Sequence, residues 1–466
     1  MAFSGGLSDL VIMDNNTQSD SQPLDLVCIG FGITALSVAI ALHEKQSLNN
    51  TLFLESQPQS SWKPCPDIPA PRLRTSFLND LITSENPRSK FTFMNYLHAT
   101  NRLVVYANSS QLCPSRELFS EYLKWCADRL QLRTGFQKQV SSITPVTNGA
   151  GRVSCWKVTV SDTVTGKQDV LLTKQVICSM EPQPKIPAIL SQANIGASLA
   201  HSTDSLDAVP STLKKTAGKA RIAIIGDGQS AAEVFEYVQS IRGIHQAVWF
   251  TKEAVLRGSD STPFVMDVVR RPNTEAGRTL PAELRTKAMD CTDPLTSGHA
   301  IEDGMLRDLY DSQYRQSVKE AEPSKWQYQI KFSHQLAAAR KTSSGQIRLS
   351  LKCLNNDEGD YYGLFDLVIA ATGYDRSGHE EIMRHLADLV DGHHLSVNRD
   401  YQVNFRKGLL VEDCGLWLQG SLGEADDVDD ALYPILAERS RRIAESIIRQ
   451  RRRPIQPLTE ERIARL

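Results

Sequence analysis

The chain lacks the sequence features of a membrane-spanning protein and of a zinc or dithiol centre. It contains no apolar run of roughly 18 residues or more, so no membrane partner is expected. Its nine cysteines are scattered without a Cys-x-x-Cys pair, which disfavours a zinc ribbon or a dithiol redox centre. This use of cysteine is typical of a reducing compartment. We therefore expect no metal site and no membrane contact.

An excess of one charge sign is also missing, because 52 basic residues face 54 acidic ones. A nucleic-acid partner is therefore not expected. Residues 1–23 are mostly polar and lack the basic and apolar regions of a signal peptide, which predicts a disordered leader and a cytoplasmic protein. The terminal Ala464-Arg465-Leu466 is a weak match to a peroxisomal address, so the peroxisome is the second expectation.

A dinucleotide fingerprint follows the leader. A strand predicted over Leu26–Ile29 enters a Gly-x-Gly-x-x-Ala turn, and an apolar-periodic helix comes next. Gly30 permits the tight turn, Gly32 lets the backbone approach a pyrophosphate, and Ala35 keeps helix and strand close. The next strand ends in Glu55, about 20 residues past the motif, where a carboxylate can bind a ribose hydroxyl. The stretch predicts a nucleotide site.

A second fingerprint has the same strand, turn and helix pattern. Its turn comprises Gly226, Asp227, Gly228, Gln229 and Ser230, followed by Ala231. The next strand ends in Thr251-Lys252 rather than in a carboxylate. A cation there suits a ribose 2′-phosphate and favours NADPH over NADH, although Glu253 is adjacent.

Two fingerprints in one chain predict an α/β protein with two Rossmann-like dinucleotide-binding domains, the NADPH domain inserted into the FAD domain. The nicotinamide must reach the flavin ring to transfer a hydride, so both domains should face one cleft. The predicted segments are a leader (1–23), the first part of the FAD-binding domain (24–210), the NADPH-binding domain (211–345), the second part of the FAD-binding domain with a C-terminal helix on the substrate side (346–450) and a tail (451–466).

Other flavoproteins with two nucleotide sites fit less well. A disulfide reductase would need a redox Cys-x-x-Cys. The Baeyer–Villiger signature requires a different glycine-to-histidine spacing from that of Gly196 and His201 and a following Trp-Pro. His201 is therefore interpreted as a packed linker residue. The terminal Arg451, Arg452 and Arg453 are interpreted as a solvated helix end, with an oligomer or anionic-partner contact as the alternative.

The sequence resembles the microbial ornithine N-hydroxylases, relatives of the lysine enzymes, over nearly everything from Leu24 to Ile448. The matching strings are Leu54-Glu55 with Gln57-Pro58 and Trp62, Thr75 to Leu78 with Asp80-Leu81, Phe93 to Leu97, Pro114 to Arg116, Gly226 to Glu233, Ser259-Asp260 with Pro263 to Val265, and Ala371 to Tyr374.

The resemblance implies an FAD- and NADPH-dependent monooxygenase that N-hydroxylates a small-molecule amine with molecular oxygen, through a flavin hydroperoxide. It also implies a role in secondary-metabolite or siderophore biosynthesis, and self-association. The residues it places against FAD are Glu55, Gln57, Trp62, Lys63, Ala431, Leu432 and Tyr433. The residues it places against NADPH are Asp227, Gly228, Gln229, Ser230 and Lys252. Arg116 would lie near the flavin–nicotinamide contact, with a solvent-facing helix residue as the alternative.

The chain departs from the family pattern at the substrate positions. Asn79 stands where ornithine enzymes have a lysine that pairs with the amino-acid carboxylate. Met266 and Ser297 replace two asparagines, Pro434 replaces a serine, and Arg74 replaces a glutamine beside the flavin. We therefore expect an amine other than plain ornithine. The alternatives are an ornithine N-hydroxylase in which Arg74 binds the carboxylate, and an uncoupled NADPH-oxidising flavoprotein or redox binder.

Overall fold

The computed structural model describes residues 22–59, 72–73, 75–258, 300–355, 359–390, 395–419 and 435–452. The helices are α1 (Ile33–Glu44), α2 (Phe93–Ala99), α3 (Leu103–Asn108), α4 (Arg116–Leu130), α5 (Ala188–Gln192), α6 (Ser205–Lys215), α7 (Gln229–Ser240), α8 (Asp303–Lys319), α9 (Gly378–Met383) and α10 (Leu436–Arg452). Short 3₁₀ turns lie between several of them, among them Phe77–Asn79.

The strands are β1 (Leu24–Ile29), β2 (Thr51–Leu54), β3 (Thr134–Gly135), β4 (Lys138–Thr147), β5 (Val153–Asp162), β6 (Gln168–Cys178), β7 (Gln183–Pro184), β8 (Leu199–His201), β9 (Ala220–Ile225), β10 (Ile244–Phe250), β11 (Arg257–Gly258), β12 (Ala300–Ile301), β13 (Tyr328–Lys331), β14 (His334–Lys341), β15 (Ile347–Cys353), β16 (Tyr361–Phe365), β17 (Leu367–Ala370), β18 (Tyr374–Asp375) and β19 (Gly415–Leu418).

The first sheet is built around β1. Its order is β3-β2-β1-β6-β5-β4, with β19 also paired to β6. β1 runs parallel to β2 and to β6, and both of its faces are covered, which explains its continuous apolar sequence. Helix α1 is buried from Ala35 to Leu42 and lies between the sheet and the apolar side of α10, where Ile443 and Ile447 are fully buried.

The second sheet is parallel throughout, in the order β13-β10-β9-β17-β8. Helix α7 packs on one face, where Phe235 and Trp249 are fully buried. The antiparallel strands β14, β15 and β16 cover the other face through Leu349 and Phe365. A parallel sheet covered on both faces is the expected architecture for this sequence pattern.

The chain passes between the sheets twice, and the two crossings pair as the short antiparallel strands β7 and β18. Strands β8 and β17 belong to the second sheet, although they lie outside the segment 211–345 predicted for the NADPH-binding domain. The second sheet therefore extends past the predicted bounds on both sides. The predicted bounds at 210 and 346 had placed both segments in the FAD-binding domain.

Several local predictions are confirmed. The predicted strand and helix of each fingerprint are present as β1 with α1 and as β9 with α7. The order Pro114-Ser115-Arg116 predicts a helix start capped by Ser115; α4 begins at Arg116, and Ser115 accepts a hydrogen bond from Leu118 N at 3.2 Å. Aromatic and aliphatic residues at helical spacing in the segment 75–97 predict core positions, and Leu81, Phe93 and Leu97 are buried.

The prediction of a solvated arginine end is wrong at Arg451. Its guanidinium donates from Nε to Gln175 Oε1 and from Nη1 to Ser47 O, both at 2.8 Å, so it fastens α10 to the first sheet. Burial lowers the pKa of Arg451. Within the described ranges, no helix has the length and apolar character needed to span a bilayer.

Candidate functional site

The first glycine-rich turn is shaped by its contact with the end of β6. Gly30 has a φ of +89°, and a Cβ on it would lie 2.3 Å from Ser179 O. Its N–H donates to Leu54 O at 2.8 Å, which ties the turn to β2. A side chain at this position would be strained and would also collide with backbone. The turn therefore requires glycine, as the sequence pattern predicted.

The start of α1 offers an anion site. Its N-cap, Gly32, makes no side-chain capping bond, so the first N–H groups of the helix remain for a ligand. A Cβ on Gly32 would lie 2.9 Å from Glu181 Oε1, which places a carboxylate oxygen close to the positive end of this helix. Ala35 is fully buried against the sheet. The geometry fits the pyrophosphate of a dinucleotide.

Glu55, at the end of β2, is 6% exposed and closes the turn. Its Oε2 accepts from Phe31 N and its Oε1 from Gln57 N, both at 2.9 Å. Since an ionised carboxylate has about four acceptor positions, Glu55 can hold the turn and still accept a ribose hydroxyl. Its predicted contact with the FAD ribose is compatible with this position and stays a prediction.

The second turn repeats the hydrogen bond and the close backbone contact of the first, although only Gly30 has a positive φ. Gly226 N donates to Phe250 O at 3.2 Å, and a Cβ on Gly226 would lie 2.2 Å from Ala371 O. Helix α7 starts at Gln229 after the N-cap Gly228, which makes no side-chain capping bond. This helix N-terminus fits a second pyrophosphate for the same reason as the first.

Asp227 crosses from this turn to the end of β10. Its Oδ1 accepts from Lys252 N at 2.7 Å and from Thr251 Oγ1 at 2.9 Å. Its Oδ2 lies 3.3 Å from Lys252 Nζ. The predicted cation is therefore present at the strand end, but in an ion pair with a carboxylate from the turn.

A cavity of ≈ 500 Å³ opens at this turn. It is lined by Gly226, Asp227, Gly228 and Ser230 of the turn, by Lys252, and by Lys185, His334 and Gln335. Thr372 and Gly373 of the second crossing also line it. The cavity lies at the carboxyl ends of β9, β10 and β17, where open parallel sheets bind ligands. The residues present fit a phosphorylated dinucleotide.

Arg116 joins the two halves of the molecule. Its Nη2 lies 3.1 Å and 3.3 Å from Glu233 Oε1 and Oε2. Gln229 Nε2 donates to Glu233 Oε1 at 3.0 Å, and Gln229 Oε1 accepts from Glu302 N at 2.9 Å. Arg116 begins a helix of the first half, whereas Glu233 lies on the helix of the second fingerprint. Arg116 therefore has a protein partner in the other half while remaining 40% exposed, and its position near the flavin–nicotinamide contact stays a prediction.

The crossing between the sheets passes directly beside this ion pair. His201 is buried, and its Nε2 lies 3.1 Å from Gly373 O. Its ring lies 5.1 Å from the ring of Tyr374. Burial raises the pKa of Tyr374, Arg116 lowers it and Glu233 raises it, so the phenol senses the charges of the ion pair. His201 serves as the packed linker residue that sequence analysis expected.

Asn79 is the only substrate-side candidate inside the described residues. It ends a 3₁₀ turn, is 6% exposed, and its Nδ2 donates to Thr75 Oγ1 at 2.5 Å. The remaining predicted site residues lie outside the described ranges: Trp62, Lys63, Arg74, Met266, Ser297, Ala431, Leu432, Tyr433 and Pro434.

Sequence reasoning did not single out Glu233, Thr251 or Lys185 as functional. Glu233 had a usable signal, because it follows Gln229 by four residues on one helix face. Thr251 could have been paired with Asp227 only through the register of β9 with β10. Lys185 lies on a crossing and carries no local signal.

Two glycine-rich turns, each at the carboxyl ends of parallel strands in one of the two sheets, define a protein with two dinucleotide sites, as in a flavoprotein with one FAD site and one NADPH site. Within this class the family model for L-lysine 6-monooxygenase/L-ornithine 5-monooxygenase matches residues 22–376. The chain belongs to this family, and it is an NADPH-dependent flavin N-monooxygenase.

Relatives and solved structures agree with this assignment. The chain is 33% identical to L-ornithine N(5)-monooxygenase of Ajellomyces capsulatus over 435 residues, which cover 92% of this chain and 91% of the relative. Ornithine hydroxylase from Pseudomonas aeruginosa superposes with a TM-score of 0.81 at 26% identity, covering 92% of this chain and 100% of that one. The ornithine N-hydroxylase of Kutzneria sp. 744, solved with reduced FAD, NADP⁺ and L-ornithine, gives the same values.

Proposed function

We propose that the protein N-hydroxylates an amine other than plain L-ornithine, in a secondary-metabolite or siderophore pathway. The observation that carries this proposal is Asn79. The resemblance places a lysine there to pair with the substrate carboxylate, and this chain has a neutral amide. That amide is buried and bonded to Thr75. No cation is therefore available from this position.

The missing charge has a large expected effect. Leaving a buried carboxylate without its cation costs about 3–5 kcal/mol, which is roughly a 100- to 1000-fold loss in binding or more. Met266 and Pro434, at two further substrate positions, replace polar residues by apolar ones. Together these exchanges favour a less polar amine, or one without a carboxylate.

What the chain's own residues contribute to the reaction is binding, orientation and exclusion of water. When bound, FAD and NADPH supply the hydride and oxygen chemistry. The two helix N-termini would bind the pyrophosphates, and Glu55 would orient the flavin nucleotide through its ribose. Arg116 and Glu233 would hold the two halves so that the reacting rings meet in a cleft shielded from water.

L-Ornithine itself is the second candidate substrate. It is favoured by the names of the relatives, which include an L-ornithine N(5)-monooxygenase at 33% identity and an L-ornithine N(5)-oxygenase at 31% identity. In that case Arg74, at the position of a glutamine in the family pattern, would bind the carboxylate in place of the lysine.

An amine panel tests the proposal. FAD-loaded protein is supplied with NADPH and, in separate reactions, ornithine, lysine, aspartate, polyamines and aryl-alkyl amines. Mass spectrometry scores the N-oxygenated product, and peroxide release is measured in parallel. We expect product from an amine lacking the ornithine carboxylate, at a kcat/KM at least about 100-fold above that for ornithine.

Equal or better turnover of ornithine would overturn the proposal. The variant R74A then tests the second candidate, which predicts a selective loss of ornithine turnover. NADPH oxidation that releases only peroxide with every amine would instead favour an uncoupled oxidase.

A further inference from the structure

Each nucleotide turn contains one carboxylate, but at opposite positions: Glu55 at the strand end in the first site, and Asp227 in the glycine-rich turn in the second. Their positions correspond, because Gly30 N donates to Leu54 O in the first and Gly226 N donates to Phe250 O in the second. By this correspondence Phe31 matches Asp227, and Glu55 matches Thr251. In the first site the carboxylate belongs to the strand end and accepts from the turn. In the second it belongs to the turn and accepts from the strand end.

As a result, a carboxylate and a cation that favour different coenzymes lie together at the end of β10. A carboxylate at the strand end accepts from a ribose 2′-hydroxyl and favours NADH, whereas a cation there favours the 2′-phosphate of NADPH. Here the Asp227 carboxylate reaches this strand end while Lys252 supplies the cation, 3.3 Å away. Asp227 therefore disfavours NADPH, which Lys252 favours, and Lys252 disfavours NADH, which Asp227 favours.

The exposure of the pair decides which partner can change its contacts. Lys252 is 55% exposed in its side chain, whereas Asp227 is 14% exposed and is held by two further hydrogen bonds. The lysine can turn toward a bound phosphate, but the carboxylate stays in place. A 2′-phosphate must then compete with Asp227 for Lys252 and also approach a fixed negative charge.

We propose that Asp227 is a specificity-determining residue that weakens the preference for NADPH by pairing with Lys252. The ion pair offsets the charge of Lys252, so that NADPH binds more weakly than Lys252 alone would allow. The inference concerns the coenzyme and does not depend on which amine is hydroxylated.

The variant D227N isolates this effect. The amide oxygen of asparagine can still accept from Lys252 N and Thr251 Oγ1, so the turn keeps its shape, while the ion pair with Nζ is lost. Calorimetric titration of the FAD-loaded protein with 2′,5′-ADP and with 5′-ADP reports the 2′-phosphate contribution without any catalysis. Since partly exposed ion pairs contribute modestly, we expect 2′,5′-ADP to bind about 3- to 10-fold more tightly. The affinity for 5′-ADP should not increase, because its 2′-hydroxyl gains no phosphate contact with Lys252 and loses a carboxylate acceptor.

Lys252 supplies the second arm of the test. In the wild-type background K252M should weaken 2′,5′-ADP binding by about 3-fold, and in the D227N background by more, because the cation is then fully available. Unchanged or weaker binding of 2′,5′-ADP to D227N would overturn the proposal, as would equal effects of K252M in both backgrounds. D311N is the matched control: it removes a carboxylate paired with Arg315 on the exposed face of α8 and should leave both affinities unchanged.

Discussion

The ion pair between Arg116 and Glu233 gives the most direct test of how the two halves cooperate. The variants are E233Q, which can still accept from Gln229, and R116M, which keeps much of the apolar stem. Two unit charges near 4 Å interact by about 4 kcal/mol at an effective dielectric of 20, but desolvation cancels most of this energy. Arg116 is 40% exposed and Glu233 13%, so the pair lies closer to the surface limit of about 1 kcal/mol.

A coupling of about 1 kcal/mol corresponds to roughly a 5-fold change in a rate. The assay is anaerobic stopped-flow reduction of bound FAD by saturating NADPH, followed by the loss of oxidised-flavin absorbance. Each single variant should slow reduction, because hydride transfer depends on the relative position of the two rings. The double variant should be no slower than the slower single variant, since the pair is already broken there.

The refuting result is additivity. If the two substitutions combine within about 0.3–0.5 kcal/mol, the residues act independently and the pair does not couple the halves. Lys124 and Asp128 provide the matched control, because they form a 3.1 Å pair on the same helix with side chains 75% and 66% exposed. K124M and D128N should leave flavin reduction unchanged.

Two other predictions concern the first turn and the crossing. G30A should abolish most FAD retention, because the new Cβ would lie 2.3 Å from Ser179 O. The absorbance ratio of flavin to protein measures the FAD that is retained. G151A is the control for backbone strain alone, since Gly151 has a φ of +73° but a Cβ there would have no atom within 4 Å. Equal losses in both variants would contradict the role of the contact. Burial lowers the pKa of His201, so its pKa in the folded protein lies below the unfolded value near 6.5. The neutral, buried His201 therefore contributes stability above pH ~6.5, and this contribution is lost as the pH falls through the lowered pKa. H201Q should therefore reduce the fall of Tm on acidification, whereas the control H43Q should leave it unchanged. An unchanged dependence of Tm on pH in H201Q would show that His201 does not contribute to the acid sensitivity of the fold.

The parts of the fold that local sequence determines could be predicted. Gly30 and Gly226 were identifiable because a tight turn between a strand and a helix leaves room for no side chain. Strands β1 and β9 were identifiable from short apolar runs entering such turns. Ser115 was identifiable as an N-cap because its hydroxyl bonds an N–H three residues ahead.

The parts that depend on distant pairing could not be predicted. The crossings at Gln183–Pro184 and Tyr374–Asp375 meet only because both sheets are already formed. The assignment of β8 and β17 to the second sheet follows from the same geometry. Likewise, the sequence showed a cation at Lys252, but its pairing with Asp227 depends on the alignment of β9 with β10.

The two turns differ in how firmly their charged groups are fixed, and this difference matches what each ligand must do. At the first turn the carboxylate of Glu55 is 6% exposed and the turn residue is Phe31, packed against Phe53 at 5.4 Å. Such a site is shaped in advance for a resident cofactor, because ordering it costs little at the moment of binding. At the second turn the cation of Lys252 is exposed and held by a competing carboxylate. A bound 2′-phosphate would have to take Lys252 from Asp227, so the second site is less fully arranged before binding than the first. The proposal for Asp227 therefore predicts that the second site releases its nucleotide more readily than the first.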